Sequence, residues 1–104
     1  MTGAEAIAAV LPVGTVAVEG DGPRAGALRS LLAVRLANAG QRPAVIIETT
    51  GEEAAIQRAL AAVDDLGTVV LAGPAPARDF PLDLYPDVHL RGLTLLGVGA
   101  EEAV

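Results

Sequence analysis

The chain has 104 residues, a net charge of −6 and a hydrophobic fraction of 52%, with no Cys, no Lys and only 2% aromatic residues. The lack of Cys excludes disulfides and thiolate metal sites, and an acidic chain without a basic stripe argues against nucleic-acid partners. No apolar run reaches the roughly 20 residues of a membrane helix, and the first residues lack the positive start of a signal peptide, so we expect a cytoplasmic domain without membrane partners.

The first half of the chain predicts a helix, a strand and a second helix. Residues 4–11 are Ala-rich and end before a Pro, which is typical of a short helix, and residues 15–19 form a β-branched apolar run typical of a buried strand. Apolar side chains then recur at helical spacing over residues 23–39. Pro23 suits the first turn of this helix, and Gly40 suits the position just after its end.

The second half begins with the strongest strand pattern in the chain, the run AVIIE at residues 44–48. Thr50 and Glu53 follow with the spacing of a capping box, in which Thr50 is the N-cap and the Glu53 side chain reaches back. This pattern predicts a helix that begins at Thr50 and runs to about residue 64.

Two further strands complete the pattern, at residues 68–72 and 93–96, with a proline-rich loop between them. Strands that alternate with single helices predict right-handed crossovers and a parallel sheet. The aliphatic composition agrees, because parallel strands are buried on both faces. The predicted fold class is therefore α/β, a parallel sheet of about four strands flanked by helices, in one domain that spans residues 1–104.

The turn between the first strand and the second helix carries the spacing of a dinucleotide-binding fingerprint. Gly20 would form a tight turn, Gly22 would let the backbone approach a pyrophosphate, and Ala25 or Gly26 would allow close packing of helix on strand. The helix N-terminus would add amide donors. Asp21 opposes this interpretation because a carboxylate repels phosphate, and the alternative is a purely structural turn.

Three segments resemble the cofactor domain of the medium-chain, zinc-type alcohol dehydrogenases. They are TVAVEGDGPRAGALRSLLAVRLANAG, PAVIIETTGEEAAIQRALAAVDDLGTVVLAGP and PLDLYPDVHLRGLTLLGV, which together cover most of the chain. The resemblance implies a truncated Rossmann-like domain that binds NAD(P). It adds Thr49 and Gly73, at the carboxyl ends of two strands, to the cofactor-binding residues Gly20, Gly22, Ala25 and Gly26.

Two departures from that family limit the expected activity. The family's second and third strands, with a ribose-binding acid, are missing, and only residues 40–43 replace them. The catalytic domain with its Cys and His zinc ligands is also absent, so no zinc is expected and ordinary alcohol dehydrogenase activity is not expected. Binding of NAD(P) is then expected to be weak or absent.

Two residues are candidates for catalysis in this shortened domain. Glu48 ends a strand and would either contact a ribose, act as an acid or base, or remain a solvated carboxylate. His89 is the only His in the chain and lies in the proline-rich loop; histidine is the residue type most often used as a general base, and the alternative is a surface residue. Tyr85 and Phe80 are expected to anchor that loop on the core.

The missing strands leave an edge of the first strand exposed. Either the strand at residues 44–48 occupies the vacated position, or elements are exchanged between two chains. The resemblance also implies that two sheets join through the last strand, residues 93–96, and these arguments together predict a homodimer through sheet edges. Three functions follow: a reduced dinucleotide-binding domain, a cofactor-independent enzyme that uses acid–base chemistry (an isomerase, cyclase or dehydratase) on a small metabolite, or a non-catalytic accessory subunit.

Overall fold

The computed structural model describes residues 2–74 and 79–99, which contain a four-stranded sheet with every strand parallel to its neighbours. The strands follow chain order across the sheet, and they are β1 (Val16–Glu19), β2 (Val45–Glu48), β3 (Thr68–Leu71) and β4 (Thr94–Gly97). The predicted α/β class with four parallel strands is therefore confirmed. Part of the proline-rich loop, residues 75–78, lies outside the described residues.

In the described part of the chain, three α-helices cover the two faces of this sheet: α1 (Gly3–Ala9), α2 (Pro23–Leu31) and α3 (Glu53–Ala62). Helices α1 and α2 pack on the face formed by Val16, Val45, Ile47 and Val70. Helix α3 packs on the opposite face, against Ile46 and Val69 and their neighbours. All four residues of β2 are buried, which explains why this strand reads as an unbroken apolar run.

Helix α2 is shorter than predicted and ends at Leu31 instead of residue 39. A 3₁₀ turn at Ala33–Arg35 follows, and Leu36 then forms a parallel bridge with Val16. The N–H of Ala37 donates to the carbonyl of Val16 over 2.9 Å. The physical reason is the exposed edge of β1, whose backbone groups need partners that a longer helix would not supply. Gly40 consequently does not terminate a helix.

The position of β2 relative to β1 follows from this bridge. The carbonyl of Val16 accepts from the N–H of Ala37, whereas the carbonyl of Thr15 accepts from the N–H of Val45 over 2.9 Å. Because neighbouring residues of a strand direct these groups to opposite edges, Leu36 and β2 lie on opposite sides of β1. The alternative in which residues 44–48 occupy the vacated position is therefore wrong: β2 lies between β1 and β3, on the side of β1 opposite to Leu36.

The prediction that every crossover is right-handed is wrong for one connection. Strands β1, β2 and β3 advance in one direction while α2 and α3 lie on opposite faces, so the two β-α-β units have opposite hands. The outer bridge explains the exception. The crossover from β1 through α2 to Leu36 has the same handedness as the crossover from β2 through α3 to β3. Residues 37–44 then pass the amino end of β1 and lead into β2 on its other side.

Two helix starts differ from expectation. Helix α3 has Glu52 as its N-cap without a side-chain bond, so the predicted capping box of Thr50 and Glu53 is wrong. The Thr50 hydroxyl instead donates to the carboxylate of Glu48, at the end of β2, and accepts from the N–H of Glu52. A capping box does exist at α1, where the side chains of Thr2 and Glu5 bond to each other's backbone N–H. No helix among the described residues is long and apolar enough to span a membrane.

Candidate functional site

The glycine turn after β1 has the tight geometry that its sequence predicts. Gly20 adopts a φ of +121°, and a Cβ built on it would lie 2.1 Å from the hydroxyl oxygen of Thr49. That hydroxyl donates to the carbonyl of Glu19 over 2.7 Å, which joins the carboxyl ends of β1 and β2. Gly20 is therefore required both for its backbone conformation and for the close approach of Thr49.

The next glycine leaves the start of α2 open. Gly22 is the N-cap of α2 with a φ of −75°, and a Cβ built on it would meet no atom within 4 Å. Ala25 is fully buried, whereas a Cβ on Gly26 would also lie in open space. Close packing of α2 on the sheet thus depends on Ala25 and not on Gly26. The first N–H groups of a helix have no intrahelical acceptor, so this turn presents donors beside an uncovered glycine.

Two arginines shape the turn, and the sequence did not single out either. The Arg29 guanidinium donates to the carbonyls of Val18 and Gly20, each over 2.7 Å, and so clamps the turn from the edge of β1. Arg24, in the first turn of α2, donates from Nη1 to the carbonyl of Ala72 over 2.9 Å. A cation two residues after a Gly-x-Gly turn is the one signal that could have identified Arg24. Nothing local marks Arg29.

Glu48 lies inside the protein, so its interpretation as a solvated carboxylate is wrong. Its side chain is 1% exposed, and its oxygens accept from the N–H of Thr50 over 2.7 Å and the N–H of Gly51 over 2.9 Å. The Thr50 hydroxyl donates to the same carboxylate. Three donors therefore surround the carboxylate, and it orders the turn after β2.

The turn after β2 packs closely on the turn after β3. A Cβ on Gly51, which has a φ of +71°, would lie 1.9 Å from the carbonyl oxygen of Pro74. A Cβ on Gly73 would lie 2.5 Å from the backbone nitrogen of Gly51. Both glycines are needed for this contact, which fills the space between the two turns. Gly73 therefore has a packing role whether or not it also contacts a ligand.

His89 lies far from Glu48. It ends a π-helical turn, Tyr85–His89, that leads into the amino end of β4, and it is exposed with its ring 5.1 Å from that of Tyr85. Glu48 lies at the carboxyl end of β2, and four strand residues span about 13 Å. The structure does not bring these two candidates together. Phe80 packs against the core on the α3 face, whereas Tyr85 is 71% exposed and does not anchor the loop.

A groove of about 360 Å³ opens at the same end of the sheet as the glycine turn. It lies between α1 and the end of β4, and of the described residues that line it Arg24 is the charged one. Its walls are apolar side chains and glycine backbone. One wall consists of the side chains of Ala6 and Ile7 of α1 and of its C-cap, Val10. The other wall consists of Leu96 of β4 and of Val98, which follows β4.

Metal ligands do not cluster in the part of the chain that the structure describes: no three His, Asp or Glu side chains come together. Comparison of the sequence with protein-family models and with curated proteins finds no match. At the carboxyl end of the sheet, the glycine turn, Arg24 and the apolar groove adjoin one another.

Proposed function

We propose that this chain is a reduced nucleotide-binding domain whose first turn of α2 receives a phosphate group. The observation that carries the proposal is the turn itself. Gly20 bends the chain sharply at the end of β1, and Gly22 leaves the N-terminus of a nine-residue helix uncovered. The helix N-terminus supplies amide donors and the positive end of the helix dipole. Arg24 adds a full positive charge in the same turn.

The place of the turn in the sheet supports the same proposal. Helices α2 and α3 leave the carboxyl ends of the neighbouring strands β1 and β2 on opposite faces. Ligands of open α/β sheets bind in the crevice that such a change of face creates. The resemblance to the cofactor domain of alcohol dehydrogenases agrees with a nucleotide as the source of the phosphate, and NAD(P) is the first candidate.

Affinity for a dinucleotide is expected to be weak for two reasons. A ribose hydroxyl normally pairs with a free carboxylate in such domains, but both oxygens of Glu48 already accept hydrogen bonds within their own turn. Asp21 is exposed beside the proposed phosphate position and repels an anion there. We therefore propose binding without ordinary dehydrogenase activity.

Calorimetric titration of the full chain with NAD⁺, NADP⁺ and AMP tests this proposal. We expect heat from at least one of them, and Gly22→Val should weaken that binding by at least about tenfold because the side chain would cover the amide donors. The fold accommodates this change, since Gly22 has an ordinary φ and open space around it. Gly26→Ala is the matched control, with binding unchanged. No heat at millimolar nucleotide, or equal binding by Gly22→Val, contradicts the proposal.

The other two functions have less support. An acid–base enzyme that uses Glu48 and His89 would need them in one site, and they lie at opposite ends of the sheet. An accessory subunit remains a prediction, as do the homodimer and the cytoplasmic location. Among the sheet edges, β4 is the better candidate for a dimer contact, because Leu36 and Arg29 occupy the outer edge of β1.

A further inference from the structure

We propose that the nucleotide bound by this domain carries a second phosphate on its ribose, and that Arg29 pairs with that phosphate. The inference rests on the proposed phosphate site at the first turn of α2 and adds the class of ligand, a nucleotide with one phosphate at the 5′ position and another at the 2′ or 3′ position of the same ribose. It is carried by the place of the Arg29 guanidinium, by its accessible donors and by the open surface of α2 between Arg29 and Gly22.

The Arg29 guanidinium has a fixed position at the carboxyl end of β1. Its Nη2 donates to the carbonyls of Val18 and Gly20, each over 2.7 Å. The carbonyl of Val16 points to the outer edge of the strand, where it accepts from the N–H of Ala37, and by alternation the carbonyl of Val18 points the same way. The guanidinium therefore lies at the outer edge of β1, directly beside the glycine turn.

The remaining donors of Arg29 are available to a ligand. Its Nε and Nη1 donate to no atom of the described residues. The side chain is half-buried, and among the described residues no buried side-chain nitrogen or oxygen lacks a hydrogen-bond partner. Both nitrogens must therefore be accessible to solvent, and they can donate to an anion while Nη2 keeps its bonds to the end of β1.

No carboxylate of the described residues neutralises this charge by an ion pair. Glu19 lies on the α3 face of β1, which Ala17 also reaches, and its carboxylate is 3.9 Å from Nη2 of Arg58. Asp21 is exposed in the turn and forms no ion pair with Arg29. A guanidinium is always charged and pairs well with phosphate oxygens, so an anionic group of the ligand is the partner that its surroundings favour.

The surface of α2 between the two anion positions is open. Gly22, Gly26 and Arg29 are spaced at i, i+4 and i+7, which places them on one stripe of the helix. A Cβ built on Gly22 or Gly26 would meet no atom within 4 Å. A ligand that is bound at the first turn of α2 can therefore extend towards Arg29 without displacing a side chain of this stripe.

The separation of the two positions selects the class of ligand. Nη2 of Arg29 is 2.7 Å from the carbonyl oxygen of Gly20, and Gly22 follows two residues later, so the guanidinium lies no more than about 10 Å from the Cα of Gly22. Phosphates at the 5′ position and at the 2′ or 3′ position of one ribose are separated only by the sugar and fit such a distance. AMP has no group that could contact both positions through phosphate.

Calorimetry on the full chain with AMP, adenosine 2′,5′-bisphosphate and adenosine 3′,5′-bisphosphate tests the proposal. We expect one of the bisphosphates to bind at least about tenfold more tightly than AMP, because it adds charge-assisted hydrogen bonds to Arg29. The isomer that binds more tightly identifies the position of the second phosphate. If neither bisphosphate binds more tightly than AMP, the proposal is overturned.

Substitution of Arg29 tests the assignment to this residue. Arg29→Gln should bring the affinity for the preferred bisphosphate close to that for AMP, and AMP itself reports any general damage to the turn. Arg58→Gln, which removes an exposed guanidinium on the α3 face, is the matched control with the preference retained. If Arg29→Gln does not fold, Arg29→Lys keeps a charge at the turn and should still lower the preference, because an ammonium lacks the fork that serves the strand end and a phosphate together. An undiminished preference in the folded variant contradicts the assignment.

Failure of this inference is distinguishable from failure of the phosphate site. AMP binding that Gly22→Val weakens, in a protein with no preference for either bisphosphate, supports the phosphate site and overturns the role of Arg29. Bisphosphate binding that Arg29→Gln weakens and Gly22→Val leaves unchanged contradicts the phosphate site at α2. The absence of heat with all three ligands contradicts both.

Discussion

Glu48 shows how one buried carboxylate organises the turn on which the carboxyl end of the sheet depends. Its oxygens accept from two backbone N–H groups and one hydroxyl, all within three residues. The turn that it holds brings Gly51 against Pro74 and Thr49 against Gly20. A residue that would be a candidate acid by its position at a strand end is thus part of the scaffold beside the candidate site.

Glu48→Gln should therefore reduce stability rather than remove a reactive group. The amide places an NH₂ donor where the carboxylate accepts from an N–H, so one buried donor loses its partner, at a loss of about 1–3 kcal/mol in the free energy of unfolding. Urea unfolding followed by circular dichroism measures this loss. Glu52→Gln, an exposed change of the same type in the same turn, should remain within about 0.5 kcal/mol of the parent. Equal unfolding midpoints for both variants would contradict this role.

The difference between what the sequence predicts at Gly20 and at Glu48 has a physical reason. A Gly-x-Gly run between an apolar strand and a helix leaves few backbone conformations, so the turn at Gly20 is predictable from local sequence. Burial of Glu48 depends on a contact between the turns after β2 and β3, whose glycines are 22 positions apart in the sequence, Gly51 and Gly73. Local pattern carries no information on such a contact, and the groove beside Arg24 is equally non-local.

At the scale of elements, the carboxyl end of α3 is held by side chains from elsewhere in the chain. The Arg91 guanidinium donates to the carbonyls of Leu60 and Val63, and its Nε donates to Asp65 over 2.8 Å. This last bond lowers the pKa of the Asp65 carboxyl. Arg42 donates to the carbonyl of Val63 as well, over 2.7 Å. Carbonyls that a helix end leaves without intrahelical donors are satisfied in this way.

Arg91→Lys should weaken this cap although it keeps the charge. A lysine ammonium cannot reproduce the planar fork that serves two carbonyls and a carboxylate together, so we expect a loss of about 1–3 kcal/mol in the free energy of unfolding. Arg58→Lys is the control, because that side chain is 63% exposed and its ion pair with Glu19 spans 3.9 Å; such exposed pairs contribute about 0–1 kcal/mol. Urea unfolding compares the two. A loss as small for Arg91→Lys as for Arg58→Lys would contradict the proposed stabilisation of this helix end by the Arg91 guanidinium.

Of the elements, α2 is the one whose length the sequence periodicity predicts least well. Leu28, Leu32 and Leu36 have helical spacing, and the first two are buried on the sheet as a helix would place them. Leu36 satisfies the same spacing yet pairs with Val16 at the edge of β1. Periodicity registers only that a residue turns towards the core, whereas the need of a strand edge for hydrogen-bond partners arises from the assembled sheet.

The whole sheet has two edges that differ in how they are protected. The outer edge of β1 is covered by Leu36 and by the Arg29 guanidinium, which donates to the carbonyl of Val18. The N–H of Thr94 donates to the carbonyl of Gly67, just before β3, and the N–H of Val98, just after β4, donates to the carbonyl of Leu71. By the alternation of a strand, the N–H groups of Leu95 and Gly97 therefore point away from β3. Of the two edges, that of β4 is the one suited to pair with a second copy of the chain.

Gly97→Pro and Gly97→Ala test the predicted homodimer at this edge. Proline removes the outward N–H of residue 97 and leaves the bonds between β3 and β4 in place, as expected for proline in an edge strand. Alanine keeps that N–H, and its Cβ would meet no atom within 4 Å. We expect sedimentation equilibrium to show a dimer for the parent chain and for Gly97→Ala, and a dissociation constant at least about tenfold higher for Gly97→Pro. A monomeric parent chain, or a dimer that Gly97→Pro leaves equally tight, would mean that β4 is not the contact between copies.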